Sequence, residues 1–165
     1  GNLGVAFTYN EPLIGIEYIM DTAPLLHAAG LAVVLVTNGM ISAEPLMRLL
    51  PHVDAMNIDL KGWRADFYRW LGGDLETVKT TIARAAESGV HVEVTTLIIP
   101  DHNDAAEDMD AEARWLASLS PAIPLHISRY FPRHRLSTPP TPITDIDRLT
   151  EIARRHLRHV HRGNC

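Results

Sequence analysis

The 165-residue chain contains one cysteine, Cys165, at its last position. No intramolecular disulfide and no cysteine-only metal site can be assembled from these residues alone. Basic residues are also few, with 15 Lys and Arg against 20 Asp and Glu and a formal net charge of -5. Nucleic acid and anionic membranes normally require a basic stripe, so both are excluded as expected partners. No window approaches the roughly 18 consecutive apolar residues that span a bilayer, and the first residues lack the basic and apolar pattern of a signal peptide. A cytoplasmic location is expected. The glycine fingerprint GxGxxG, the P-loop signature, the HExxH zinc motif and the GxSxG nucleophile elbow are all missing. Nicotinamide, nucleoside triphosphate and triad-hydrolase readings therefore lack support.

What is present is a chain with 46% hydrophobic residues and the length of one ordinary core, so residues 1–165 are expected to form a single domain. It begins with Gly1 rather than Met and runs directly into an apolar segment, which suggests a fragment of a longer protein. Strand-length apolar runs occur at Leu3 to Tyr9, Leu31 to Thr37, Ala55 to Leu60, Val90 to Pro100, Leu125 to Phe131 and, more weakly, Arg158 to Arg162. The central runs are continuously apolar, which predicts parallel strands buried on both faces.

Helical spacing is found between the runs. One helix is expected from Pro12 to Ala29, ending at Gly30, and one is expected to start at Ser42. Others are expected around Asp66 to Leu71, from Leu75 to Ser88, from an Asn103 or Asp104 cap to Ser120, and from a Thr144 cap to about Leu157. Alternation of this kind predicts an α/β fold with right-handed crossovers. A full barrel of eight units takes about 250 residues, so an open, curved partial (β/α) barrel is expected, with a flat doubly wound sheet as the alternative. The segment Tyr130 to Pro142 reads as a long extended loop.

Ligands of parallel α/β folds lie at the carboxyl ends of the strands, and those ends are polar here. They carry Thr8-Tyr9-Asn10-Glu11, then Thr37-Asn38-Gly39, then Asp59 and Lys61, then Thr95 and Thr96, then His126 and Arg129. An acid, an amide, an acid and base pair and a guanidinium on one rim suit a small polar zwitterion. Each also has an ordinary structural explanation. Glu11 could be an exposed first-turn acid, Asn38-Gly39 a tight turn, Asp59 and Lys61 an ion pair, and His126 a hydrogen-bonded core histidine. The tail histidines His156, His159 and His161, together with His134 between Arg133 and Arg135, read as solvated surface because their spacing fits no metal motif. No metal ligand and no catalytic residue is assigned.

In this order and at compatible spacing, TYNEP, LVTNG, NIDLKG, VEVTTLIIPDHND and HISRYFP resemble the radical S-adenosylmethionine (SAM) enzymes. The similarity is to the pyruvate formate-lyase activating enzyme group, and most of all to the radical SAM member of the AmmeMemoRadiSam system. It implies a partial barrel, SAM bound across the strand ends, and a [4Fe-4S] cluster whose CxxxCxxC loop would lie upstream of these residues, together with the first strand. Reductive cleavage of SAM would give a 5'-deoxyadenosyl radical for hydrogen abstraction. By position, the resemblance assigns Tyr9, Asn10 and Glu11 to the methionyl amino group, Thr37 and Asn38 to the second SAM-contacting strand end, and Lys61 to the SAM carboxylate. Asp59, Thr95, His126 and Arg129 complete the expected cofactor-binding set. Tyr9 and Asn10 replace two glycines, Val36 an aspartate, Thr95 an arginine and Asp101 a glycine. These departures argue against a true pyruvate formate-lyase activase.

Two other functions stay open at this level. One is a lyase or aldolase in which Lys61 forms a Schiff base and Asp59 manages protons. The other is a SAM- or nucleotide-binding module without chemistry. The substrate, small molecule or protein, is not specified by the sequence, and an exposed sheet edge would favour self-association.

Overall fold

A computed structural model describes residues 1–165. Its strands are β1 (Gly4–Phe7), β2 (Ala32–Thr37), β3 (Ala55–Asp59), β4 (His91–Ile98), β5 (Leu125–Arg129) and β6 (Val160–Gly163). The helices are α1 (Ile16–Ala28), α2 (Ala43–Leu49), α3 (Ala65–Trp70), α4 (Leu75–Glu87), α5 (Ala106–Leu119) and α6 (Ile143–Ala153). The sheet has the order β1-β2-β3-β4-β5-β6, and the α/β class follows from helices between successive strands, one in each connection except that α3 and α4 both lie between β3 and β4. No helix is long and apolar enough to cross a membrane.

The chain divides into two compact units. The first comprises residues 1–59 and 76–93. It holds β1 to β3 in parallel register, with Phe7 beside Leu35 and Thr37 beside Ile58. Its core is made by Ile19 and Ala23 of α1, Val33 and Leu35 of β2, Met56 and Ile58 of β3, and Val78 and Ile82 of α4, all essentially inaccessible to solvent. The turn after β2 depends on glycine. Gly39 has φ 71°, and a Cβ there would lie 2.8 Å from Ile58 Cγ2 and 3.2 Å from Val78 Cγ1. Its carbonyl is bound by the buried Thr81 hydroxyl at 2.8 Å.

The second unit comprises residues 60–75 and 94–165. Parallel β5 and β6 continue from β4, with Thr95 beside His126 and His126 beside His161. Ile98, Met109, Ala113, Leu116, Leu125, Ile127, Ile146 and Leu149 form its core.

The expectation that the strands are buried on both faces is corrected. In β4, Val92, Val94, Thr96 and Ile98 are buried, while His91 is exposed and Glu93, Thr95 and Leu97 are half-buried. In β2, Val33, Leu35 and Thr37 are buried, but Val36 is 39% exposed. Helices cover one face of these strands, and the other face stays open, so side chains alternate in burial with the pleat.

Three helix starts also differ. Pro12–Gly15 is a 3-10 turn ahead of α1. Ala105, not Asn103 or Asp104, occupies the cap position of α5, and α6 begins at Ile143 with Pro142 before it. Asn103 is instead spent on loop contacts.

Candidate functional site

Glu11 is the hub of the first unit's site. It is half-buried and caps the 3-10 turn, its Oε1 accepting from the Leu13 N–H at 3.1 Å. The same oxygen accepts from Thr37 Oγ1 at 2.5 Å, and Oε2 accepts from the Asn38 N–H at 2.8 Å. The Thr37 hydroxyl in turn accepts from the Gly39 N–H at 3.1 Å, and Asn38 Oδ1 from the Met40 N–H at 2.8 Å. One carboxylate therefore joins the ends of β1 and β2. A carboxylate has about four lone-pair positions, so three internal donors leave room for one further cationic donor. The simple exposed-acid reading of Glu11 does not hold.

Tyr9 and Asn10, joined by a cis peptide, are exposed beside it, Tyr9 at 96%. A depression of about 430 Å³ is lined by Phe7, Tyr9, Glu11, Ile14, Tyr18 and their neighbours, with Phe7 and Tyr18 edge to face at 6.1 Å. Asp59 is half-buried at the end of β3.

In the second unit, Lys61 has its backbone held from both sides. Its N–H donates to Tyr68 Oη at 3.0 Å, and its carbonyl accepts from Asn103 Nδ2 at 2.7 Å. Asn103 is buried and uses both ends of its amide, since Oδ1 accepts from the Ile99 N–H at 2.7 Å and Nδ2 also donates to the Leu97 carbonyl at 2.9 Å. Gly62 packs so closely that a Cβ would lie 2.8 Å from Phe67 Cδ1. Thr95 and His126 are neighbours in register and half-buried. His161, expected only as surface, stacks on His126 with ring centroids 5.2 Å apart. His156 pairs with Asp110 at 2.8 Å, which holds that carboxyl below its usual range. Arg129 donates from Nε to the Thr141 carbonyl at 2.6 Å and lies over the Phe131 ring at 4.7 Å.

Of the expected residues, Tyr9, Asn10, Glu11, Thr37, Asn38 and Asp59 thus belong to the first unit, and Lys61, Thr95, His126 and Arg129 to the second. The structure directly bonds Glu11, Thr37 and Asn38. The sequence reading missed Tyr68, the loop role of Asn103, and Glu112. Glu112 is 2% exposed on α5 and accepts from Thr96 Oγ1 at 2.6 Å, and burial pushes its carboxyl up to about 8. A signal for it existed, because Glu112 shares helical spacing with the apolar Met109, Ala113 and Leu116.

No group of three or more His, Cys, Asp or Glu side chains is placed to hold a metal ion, and Cys165 is exposed and single. A [4Fe-4S] cluster requires several thiolates, so these residues by themselves do not fit one.

Residues 2–116 match the family described as the Radical SAM superfamily. The chain is 40% identical over 165 residues to an uncharacterized protein of Methanocaldococcus jannaschii, covering 98% of this chain and 49% of that protein. It therefore spans about half the length of the curated relative it matches. Its fold is similar to a domain of pyruvate-formate lyase-activating enzyme from Bacteroides vulgatus, with TM-score 0.83, 21% identity, and coverage of 99% of this chain and 100% of that one. A radical SAM methyltransferase from Sphaerobacter thermophilus matches with TM-score 0.78, 17% identity, and coverage of 97% and 50%. SuiB of Streptococcus suis, bound to S-adenosylmethionine, matches with TM-score 0.65, 12% identity, and coverage of 91% and 34%. At these identities the likeness is one of fold, whereas the family match extends over most of the sequence. The chain belongs to the radical SAM superfamily.

Proposed function

We propose that these residues are the SAM-binding part of a radical SAM enzyme. When bound, SAM would supply a 5'-deoxyadenosyl group for hydrogen abstraction, and an iron-sulfur cluster would need thiolates that these 165 residues do not contain. The observation that carries the reading is the Glu11 carboxylate, fixed by Thr37, Asn38 and Leu13 with one acceptor position to spare. A fixed anion at a strand end is suited to an amino-acid ammonium, because the donors that hold it have already removed its freedom to rotate. Asn38, whose side chain holds the turn, keeps that strand end in place.

Lys61 is the residue we assign to the SAM carboxylate. The support is its clamped backbone, which fixes where the side chain starts. Tyr9 and Asn10 beside Glu11, Asp59 at the end of β3, and Thr95 and His126 on the open face of β4 and β5 extend the proposed set. Arg129 is drawn toward Thr141 and Phe131. A reducing cytoplasm suits a reaction that consumes an electron.

The test is anaerobic incubation of the full-length protein, reconstituted with iron and sulfide, with SAM and dithionite. Formation of 5'-deoxyadenosine that is lost in Glu11→Gln supports the assignment. A borohydride-trapped adduct on Lys61, with no 5'-deoxyadenosine formed, would replace it with Schiff-base chemistry.

A further inference from the structure

Between Glu112 and Asp145 the sequence has no acidic residue, but it has Arg114, Arg129, Arg133 and Arg135. In a chain of net charge -5 this is a local reversal of sign. The fold brings two of these arginines to one depression of about 480 Å³, lined by Leu97, Arg129, Tyr130, Phe131, Arg133 and Asn164. It lies at the carboxyl ends of β4, β5 and β6, where parallel α/β sheets hold their ligands. Its volume suits a small molecule, and no carboxylate lines it.

Arg64, Arg84, Arg114, Arg148, Arg154 and Arg162 each meet an Asp or Glu. Arg129 and Arg133 meet none. Arg129 uses only Nε, on the Thr141 carbonyl, and its guanidinium rests over Phe131, so both terminal nitrogens stay available. Arg133 is held through its backbone, which bridges to Leu136.

The walls are also fixed. The Tyr130 N–H donates to Thr141 Oγ1 at 3.1 Å, and that hydroxyl donates to the Ile98 carbonyl at 2.6 Å. The Thr141 N–H returns to the Tyr130 carbonyl at 3.1 Å, and Tyr130 Oη donates to the Leu136 carbonyl at 3.1 Å. Asn164 Nδ2 donates to the Arg129 carbonyl at 3.3 Å. Guanidinium forks without counter-charge, set against the apolar Leu97 and Phe131, match an oxyanion on an apolar body.

We infer that this depression binds a carboxylate or phosphate group of the substrate, with Arg129 and Arg133 as its partners and Leu97 and Phe131 against the attached apolar part. That the ligand is the substrate rests on the function proposed above. The anion site itself rests on the arginines.

The test is calorimetric titration of the full-length protein with benzoate, phenyl phosphate and neutral benzyl alcohol, each with and without saturating SAM. Benzoate or phenyl phosphate is expected to bind at least about tenfold more tightly than benzyl alcohol, and Arg133→Gln and Arg129→Gln should each lose about tenfold of that affinity. The tighter of the two anions tells a carboxylate ligand from a phosphate. Arg133→Gln should leave SAM affinity unchanged, and anion and SAM should bind together. Equal binding of benzyl alcohol, or anion affinity unchanged in Arg133→Gln, would overturn the site. Displacement of the anion by SAM would assign the arginines to SAM and overturn the substrate assignment. Anion binding with no SAM binding would support the anion site while counting against the function proposed above.

Discussion

Glu11 accepts a 2.5 Å hydrogen bond from Thr37, and this single contact ties the end of β1 to the end of β2. Thr37 is 2% exposed, so its hydroxyl has no ready alternative in water. The acid is therefore structural as well as chemically competent, and the two roles can be separated. Glu11→Ala strands the Thr37 hydroxyl and the Asn38 and Leu13 N–H groups, and should cost about 2 to 4 kcal/mol in urea denaturation. Glu11→Gln keeps one acceptor oxygen for Thr37 and Leu13 but turns an NH2 donor toward the Asn38 N–H, so it should cost less than Glu11→Ala without being neutral. Equal losses in both variants would show that a single acceptor oxygen is not enough to hold the strand ends.

Glu112 makes stability depend on pH. Burial raises its carboxyl to about 8 from 4.5, so the folded state keeps a proton that the unfolded state releases. Below about 4.5 both states are protonated and this contribution to stability is fully present. It falls as pH rises from about 4.5 and is lost once pH passes about 8. Glu112→Gln should remove that fall, and relative to the parent it should gain on the order of a few kcal/mol between pH 5 and pH 8. Parallel denaturation curves at the two pH values decide it, and an identical pH dependence in parent and variant would contradict the burial argument.

Gly39→Ala should destabilise the first unit by about 2 to 4 kcal/mol. The positive φ and the 2.8 Å approach of Ile58 act together, and backbone strain adds to overpacking. Thermal melting checks this, and a loss under about 0.5 kcal/mol would mean that the turn can be rebuilt.

Asn103→Leu should cost about 3 kcal/mol, because it leaves the Ile99 N–H and the Lys61 and Leu97 carbonyls without this partner. Amide hydrogen exchange should quicken at Ile99. Unchanged protection there would remove Asn103 from the clamp on Lys61.

Much of this architecture is legible in the sequence because the apolar runs and the Gly30, Gly39 and Gly89 turns punctuate it at strand and helix lengths. All six strands fall within the expected apolar runs or within one residue of them, and the polar strand ends were readable as a group. What the runs do not encode is which face is covered. Val34 and Val36 look as apolar as Val33 and Leu35, yet only the latter pair faces helices, and that depends on packing far along the chain. Glu11 was legible as a site residue but not as a cross-strand tie, since its partner Thr37 is 26 residues away. Asn103 misled for a related reason. It looks like a helix cap by local spacing, but its amide is claimed by the Lys61 carbonyl 42 residues distant.

Glu11 and Lys61 are each proposed to contact SAM. Calorimetric titration of SAM into the full-length parent, Glu11→Gln and Lys61→Ala tests it most directly. Each variant should lose roughly 1.5 to 3 kcal/mol of binding free energy, the range of a charge-assisted hydrogen bond, and Lys61→Arg should not restore it fully. Equal SAM affinity in the parent and both variants would contradict the account.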